Sequence, residues 1–168
     1  MDSVKGSKRD ANLRDASEAI NTYPIGDVRN DPIGPVNKFI NWIFLGKKPR
    51  LLRRLVSLFF HIELPTLLYP LRMAHPFGIV VNSGASLGRN VTIFQHVTIG
   101  SKRLGRKAGV ASIGDDVVIF PNAVIVGAVS IGGGAVIAPG AVVINDVPAG
   151  ATVAGNPARI VDRKVDKS

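Results

Sequence analysis

Residues 111–143 read ASIGDDVVIFPNAVIVGAVSIGGGAVIAPGAVV. A branched aliphatic residue recurs at every sixth position of this stretch, and a further aliphatic residue, usually a smaller one, stands two positions before each of them. The same period extends back to Ile79, with one change of phase between Ile99 and Ile113. The period predicts one buried side chain per six residues. The main column comprises Val81, Leu87, Ile93, Ile99, Ile113, Ile119, Ile125, Ile131, Ile137 and Val143.

A third column, three residues after the main one, contains mostly residues that tolerate a positive φ at a tight corner. A period of six with inward aliphatic residues and such a corner residue predicts a left-handed parallel β-helix. Three hexapeptides make one triangular coil, so the sequence predicts about four coils. The corner column comprises Gly84, Asn90, His96, Asp116, Asn122, Ala128, Gly134, Gly140 and Asp146.

The chain divides into four segments. Residues 1–34 form a polar N-terminal arm, residues 35–64 a helical cap segment, residues 65–161 the β-helix domain, and residues 162–168 a basic tail. The change of phase predicts that residues 101–110, SKRLGRKAGV, leave the coil as a basic loop.

Two amphipathic helices are expected in the cap segment. Apolar residues recur there at helical spacing, and Gly46, Pro49 and Pro65 punctuate the pattern. We expect the apolar faces to pack on the bottom coil and cover an edge that would otherwise aggregate. The alternative is peripheral contact with an anionic membrane surface. The two stripes are Val36, Phe39, Ile40, Ile43 and Phe44, and then Leu51, Leu55, Leu58, Phe59 and Ile62.

Composition excludes several classes of protein. The chain has 168 residues, of which 46% are hydrophobic, and no cysteine, which excludes disulfides, thiolate zinc sites and a cysteine nucleophile. No apolar run approaches the roughly 20 residues of a membrane span, and no secretory signal is recognisable, so we expect a cytoplasmic protein. The net charge of +9 is divided among separate clusters. Without aromatic platforms or a recognition helix, this charge does not indicate nucleic-acid binding.

Four stretches carry a family resemblance: HPFGIVVN, VTIFQHVTIG, SIGDDVVIFPNAVIVG and VSIGGGAVIAPGAVVINDVPAGATVAGNPARIV. Together they resemble the hexapeptide acyltransferases of the serine acetyltransferase type, over about residues 62–161. The HPFGIVVN variant is similar to members found with polysaccharide biosynthesis, which acetylate sugar hydroxyls. The resemblance implies acetyl-CoA as donor, a homotrimer, and active sites between adjacent β-helices.

The chain contains three histidines, His61, His75 and His96. Acyl transfer to an alcohol needs a base, and histidine suits that role near neutral pH. The resemblance implies that His75 is this base, although counting in sixes from Val81 places it in the inward column. Pro76 and Phe77 could break that register and turn the ring outward. For His96, beside Gln95, we favour a corner residue over a second catalytic or acceptor-binding role. His61 follows a helix and is expected to be structural or exposed.

For the donor, the resemblance implies a pantetheine arm along exposed coil backbone around Phe120, Pro121, Ala138 and Pro139. The phosphates would meet basic residues such as Arg159, and the loop cations, among them Lys102 and Arg103, would close over the arm. The two prolines could equally be structural corner residues. A metal site is not expected, because His75 and His96 have no close third histidine.

Three departures from the family bear on the acceptor. Serine acetyltransferases carry an acidic residue before the catalytic histidine and an arginine–histidine pair after the loop, where this chain has Ala74, Gly109 and Val110. A neutral sugar hydroxyl does not need those charged groups, so a sugar acceptor is the main expectation. The alternatives are serine O-acetylation and, in another class, a non-catalytic β-helix scaffold.

Overall fold

The computed structural model describes residues 34–44, 49–65, 67, 69 and 71–163. The predicted arm up to residue 33, the tail from residue 164, and Lys47 and Lys48 lie outside the described residues. Two helices precede a series of short strands. The helices are α1 (Pro35–Phe44) and α2 (Arg50–Phe60). The strands are β1 (Arg72–Met73), β2 (Val80–Val81), β3 (Ser86–Leu87), β4 (Thr92–Ile93), β5 (Thr98–Gly100), β6 (Ser112–Ile113), β7 (Val118–Ile119), β8 (Val124–Val126), β9 (Ser130–Ile131), β10 (Val136–Ile137), β11 (Val142–Val143), β12 (Ala151–Ala154) and β13 (Arg159–Arg163).

The strands form three sheets; from β1 to β11 every third strand belongs to the same sheet, and β12 and β13 both join the first of them. Sheet A has the order β1-β4-β7-β10-β12-β13, sheet B the order β2-β5-β8-β11, and sheet C the order β3-β6-β9. All neighbours pair in parallel except β12 with β13, which is antiparallel. The chain therefore passes from sheet A to B to C in each coil, and the predicted triangular β-helix of about four coils is confirmed.

The main column forms the core of this β-helix. Its members are buried, apart from Leu87, which is partly buried against the core. Equivalent members lie next to each other in successive coils, as Ile93 does with Ile119 and Ile119 with Ile137. The interior is consequently a stack of branched aliphatic side chains, and its burial is the main source of stability.

The register departs from a strict period of six at three places. Ile99 and Ile113 occupy successive core positions although fourteen residues separate them, so the loop inserts eight residues. Met73 pairs with Ile93, and Val81 with Ile99, so the first coil holds two extra residues between Met73 and Val81. The chain is two residues shorter between Val143 and Val147, which bridges to Ile131. The sequence predicted the loop and raised the break at Pro76 and Phe77, but it gave no sign of the shortening after Val143.

Two of the three corners follow the predicted backbone rule. We name each corner by the sheets that it joins. The predicted column has positive φ at the A–B corner and the C–A corner. At the B–C corner Gly84, Ala128 and Asp146 do not have it, so the expectation for them is wrong; between β8 and β9 the positive φ falls on Gly127 instead. At that corner side chains satisfy the turn, since Asn82 Oδ1 accepts a hydrogen bond from the Gly84 amide. The confirmed corner residues are Asn90, His96, Asp116, Asn122, Gly134 and Gly140.

Helix α1 covers the bottom of the β-helix. Ile40, Ile43 and Phe44 are buried in the common core. The buried Asn41 side chain satisfies both backbone groups of Leu71: Nδ2 donates to the carbonyl oxygen at 2.7 Å, and Oδ1 accepts from the amide at 2.8 Å. The capping role predicted for the first helix is confirmed, and Asn41 is the residue that joins it to the chain entering β1.

Helix α2 does not present its predicted apolar face to the coil. Leu51, Leu55, Leu58 and Phe59 are all exposed, whereas Val56 is buried. The predicted packing of this stripe is therefore wrong, although Ile62, after the helix, is buried as expected. The physical reason is the partly buried Arg53, whose guanidinium donates to the Phe44 carbonyl at 3.2 Å and lies over the Phe44 ring. This contact fixes the rotation of α2 against the carboxyl end of α1.

Replacing Asn41 should destabilise the fold. Asn41→Ala leaves the buried amide and carbonyl of Leu71 without partners, and the expected loss in free energy of unfolding is about 2 kcal/mol or more. Urea denaturation measures it, with the exposed Lys38→Ala on the same helix as control. An equal loss in both variants would contradict the role given to Asn41.

Candidate active site

His75 lies at the A–B corner of the first coil, and its side chain is exposed. The two extra residues between Met73 and Val81 place Met73, not His75, in the inward column, where Met73 is buried. The inward placement given by strict counting is therefore wrong, and the register break at Pro76 and Phe77 is confirmed. The His75 imidazole is available to a molecule outside the β-helix.

The A–B corner gathers several of the sequence-predicted site residues in one line, which we call the corner line. Extending the pairing of Met73 with Ile93 by two residues places His75 at the level of Gln95, with Pro121 and Pro139 in the next coils. Arg159 begins β13 and pairs with Ala154 at the far end of sheet A. Five strand spacings in sheet A separate the two ends, about 24 Å.

Exposure along the corner line differs from residue to residue. Pro139 and Arg159 are exposed, and Gln95 and Pro121 are half-buried. Phe120 and Ala138, one position earlier, are buried, and their amides donate to Ile137 and Val153. Phe120 stacks on Phe94 with ring centroids 5.0 Å apart, so the exposed positions along this corner are the prolines rather than Phe120 and Ala138.

His96 is a corner residue, as predicted. Its φ is 57° and its amide donates to the Phe77 carbonyl. The ring lies over Gly78: a Cβ on that glycine would collide with His96 Nδ1, and Gly78 itself has a φ of 64°. The His96 ring packs edge-on against Phe77, whose ring also contacts His61. His61 is exposed and caps α2 with a left-handed backbone, which agrees with the expectation for it.

Two features of this corner escaped the sequence analysis. Phe77 is half exposed beside His75 and lies between the His61 and His96 rings. The spacing of eight residues between Met73 and Val81 is the sequence signal from which the exposed position of Phe77 follows. The second feature is Gln95 Oε1, which is buried and has no hydrogen-bond partner among the described residues. A buried acceptor without a partner favours a donor group from outside the chain.

The extruded loop is confirmed, and it forms a small hairpin. The amides and carbonyls of Lys102 and Gly109 exchange two hydrogen bonds. The Lys102 ammonium donates to the Arg106 carbonyl at 3.0 Å, and Lys107 forms an ion pair with Asp146. The hydrogen bond from Lys107 lowers the pKa of the Asp146 carboxyl, and the Ser130 amide contributes to the same shift. Of the four cations, Arg103 and Arg106 make no such contact with the described residues.

The loop and the corner line lie at different corners of the triangle. The loop follows β5 at the B–C corner, whereas His75 precedes β2 at the A–B corner. Sheet B separates them, and one side of six residues spans about 20 Å. One chain therefore does not bring the loop cations to His75.

No group of three or more metal-ligating side chains is found in the part of the chain that the structure describes. Within the same residues, no hydrogen bond or ion pair holds the His75 imidazole. The other described ion pair, Arg89 with Asp115, lies at the C–A corner and lowers the pKa of the Asp115 carboxyl, chiefly through the Arg89 amide.

Comparisons with known proteins identify the repeat. Residues 111–145 match the family model of the bacterial transferase hexapeptide (six repeats). A probable serine acetyltransferase 5 from Oryza sativa subsp. japonica is 47% identical over 92 residues, 54% of this chain and 26% of that protein. Serine acetyltransferase from Bacillus subtilis (strain 168) is 34% identical over 87 residues, 52% of this chain and 40% of its own length.

Solved structures agree in fold. Serine acetyltransferase from Neisseria gonorrhoeae superposes with a TM-score of 0.62 at 31% identity, covering 79% of this chain and 53% of that one. The Brucella abortus strain S19 serine acetyltransferase in complex with coenzyme A gives a TM-score of 0.57 at 28% identity, covering 77% and 54%. This chain spans about half the length of these structures and less of the curated relatives.

The described domain is thus a left-handed β-helix of the hexapeptide-repeat type, as the sequence predicted. It is homologous to the β-helix of serine acetyltransferases. The resemblance to the polysaccharide-biosynthesis variant is not supported, because the relatives found are serine acetyltransferases.

Replacing His75 tests the expectation that this residue is the general base. We expect His75→Asn to lower kcat by about 10² to 10⁴, because asparagine cannot accept the hydroxyl proton, and to leave the affinity for acetyl-CoA unchanged. Steady-state kinetics with thiol detection measures it. Since His75 is exposed, the melting temperature should stay near that of the unaltered chain.

His96→Asn provides the comparison at the same corner. Asparagine tolerates positive φ, so the fold should persist and kcat should change by less than about tenfold. Retained activity in His75→Asn together with its loss in His96→Asn would show that the two roles are exchanged.

Proposed function

We propose that this chain is an acetyl-CoA-dependent O-acetyltransferase, with His75 as the general base. The observation that carries the proposal is the corner line, which has an exposed imidazole at one end and the exposed Arg159 at the other. The homologous serine acetyltransferases support the reaction class, and the Brucella abortus relative was solved with coenzyme A.

The residues of the corner line fit this donor. Acetyl-CoA is an anion with a long amide-bearing arm, and its phosphates would meet Arg159. The arm would then run past Pro139 and Pro121 toward His75. Gln95 Oε1, buried without a partner, is an acceptor for an amide N–H of the arm or a hydroxyl of the acceptor. The distance of about 24 Å along the line can be spanned by an extended pantetheine arm together with the Arg159 side chain.

The chemistry assigned to His75 is one proton transfer in each direction. As the acceptor oxygen forms a bond to the acetyl carbon, the imidazole takes the hydroxyl proton. When the carbon–sulfur bond breaks, the leaving thiolate recovers that proton, and His75 returns to its neutral form. No acidic side chain is found to orient the ring among the described residues, so His75 depends on a backbone group or a neighbouring subunit for its tautomer.

For the acceptor, the comparisons favour L-serine, the alternative that the sequence analysis left open. A neutral sugar hydroxyl is the second candidate, and one observation favours it: the corner line around His75 carries no acidic group to pair with the ammonium of an amino acid. Ala74, Gly109 and Val110 occupy the positions where charged groups were expected.

One assay distinguishes these functions. Acetyl-CoA with the full chain is offered L-serine or a panel of neutral sugars, and thiol release is measured against His75→Asn. We expect acceptor-dependent release that His75→Asn abolishes, with L-serine the first candidate. Release with sugars alone would assign the second candidate, and no release with any alcohol would favour the scaffold alternative.

We further propose that the chain works as a homotrimer, because an assembly of several copies can bring the loop of one subunit to the corner line of another. Soluble oligomers are mostly closed and symmetric, and a threefold assembly can place the loop of one subunit at the A–B corner of the next. The small-molecule acceptor, the trimer and the cytoplasmic location remain predictions, and light scattering that shows a stable monomer would contradict the assembly.

The loop assignment predicts a change in donor KM. Arg103→Gln with Arg106→Gln should raise the KM for acetyl-CoA about tenfold and leave the acceptor KM nearly unchanged, since each lost charge-assisted contact to phosphate weakens binding. Lys107 is not replaced in this variant, because its ion pair with Asp146 fixes the loop to the β-helix. A change in the acceptor KM alone would refute the assignment.

Mixed trimers test whether two subunits share a site. His75→Asn chains are refolded together with the double loop variant. A site that takes its imidazole from the loop variant and its loop from the His75→Asn chain is then intact. The activity of the mixture at low acetyl-CoA should therefore exceed the sum of the activities of the two separate variants. Purely additive activity would place both groups in one chain.

A further inference from the structure

Helices α1 and α2 present an apolar surface away from the β-helix, which we call the outer helix face. Leu58 and Phe59 are 75% and 76% exposed, and Trp42 is 53% exposed. The Phe39 and Trp42 rings stack on each other, and Phe39 shares a groove with Leu55, Leu58 and Phe59. An apolar patch of this kind marks an interaction surface. The exposed apolar residues of the two helices are Val36, Phe39, Trp42, Leu51, Leu55, Leu58 and Phe59.

Cations surround this face. Lys38, Arg50 and Arg54 are exposed, and neither helix contains an acidic residue. Arg50 and Arg54 are one helical turn apart, so both project from the same flank of α2, next to the apolar stripe. Apolar side chains bordered by cations, with a tryptophan among them, are typical of helices that lie in a membrane interface.

The dimensions suit contact along the surface of a bilayer. The two helices have 10 and 11 residues and are each about 15–17 Å long. In the described part of the chain, no helix has the length and apolar character that crossing a membrane requires. A groove between the helices, about 680 Å³ in volume, is lined by Phe39, Leu55, Val56, Leu58, Phe59 and Phe60.

Charge favours a lipid surface over a second copy of this chain. Two outer helix faces packed together would bring their arginines and lysines close, with no carboxylate from either helix to neutralise them. Acidic phospholipid headgroups supply the missing negative charge, while the acyl region accepts the apolar side chains. We propose that the outer helix face docks the protein on an anionic membrane surface.

This docking would place the first coil nearest the lipid. The Gly78 amide donates to the Phe60 carbonyl at the end of α2, and the Phe77 ring contacts His61, the residue after the helix. His75 lies two residues from Phe77. A docked protein therefore holds His75 close to the membrane, and that consequence, unlike the docking, rests on the proposed function.

Vesicle flotation with the full chain tests the proposal. Vesicles of phosphatidylcholine alone are compared with vesicles in which about one third of the lipid is phosphatidylglycerol. We expect binding to the anionic vesicles that weakens as salt is raised, and little binding to the neutral ones. Absence of binding to anionic vesicles at low salt overturns the proposal.

Two double variants separate the apolar and charged contributions. Leu58→Ser with Phe59→Ser, and separately Arg50→Gln with Arg54→Gln, should each weaken binding about tenfold or more. All four side chains are exposed or flank the exposed stripe, so the fold should be unaffected, and circular dichroism checks this.

Matched variants away from the helices control for general effects. Ile144→Ser removes an exposed apolar residue at the opposite end of the β-helix, and Arg103→Gln with Arg106→Gln removes two charges from the loop. Neither should change vesicle binding more than about twofold. Equal losses in the control and helix variants would show non-specific charge attraction and overturn the proposal. If Leu58→Ser with Phe59→Ser halves the molecular mass of the protein in solution, a second copy of the chain covers the outer helix face. That result would also overturn the proposal.

Discussion

Parallel hydrogen bonding between successive coils, in a register fixed by the aliphatic column, is the constraint on which the rest of this structure depends. Each coil can pair with the next only if a branched aliphatic residue returns to the interior at every side of the triangle. Ile93, Ile119 and Ile137 do so on sheet A, stacked directly above one another. Any insertion or deletion must therefore be accommodated at a corner, outside the paired strands. The proposed base His75 and the basic loop both lie at corners where extra residues are accommodated.

The insertions illustrate this relation. Two extra residues after Met73 turn His75 out of the core, and eight extra residues after Ile99 form the basic loop. Both leave the neighbouring core positions in register, since Val81 still pairs with Ile99 and Leu87 with Ile113. A rigid stack thus holds the proposed base His75 and the charged loop at defined but separate corners. That separation is the reason that we assign the complete site to more than one subunit.

Sequence reasoning succeeded where a residue type has one physical role. Branched aliphatic residues at a period of six have to be buried, and they are. His96 tolerates a left-handed backbone, and it adopts one. Sequence reasoning failed where pairing or contacts with another element determine where a side chain lies. Counting in sixes from Val81 placed His75 in the core. The residue that occupies the core position is Met73, eight residues before Val81. The apolar stripe of α2 was expected on the coil, but Arg53 binds the end of α1 and turns Leu58 and Phe59 outward.

The central claim is that the corner line binds the acetyl donor. Hydrogen exchange of the backbone amides, measured with and without coenzyme A, tests it most directly. We predict slower exchange at the A–B corner, in residues 94–97, 120–123 and 138–141, with residues 132–135 at the C–A corner unchanged. Protection confined to the C–A corner, or no protection at saturating coenzyme A, would contradict the account.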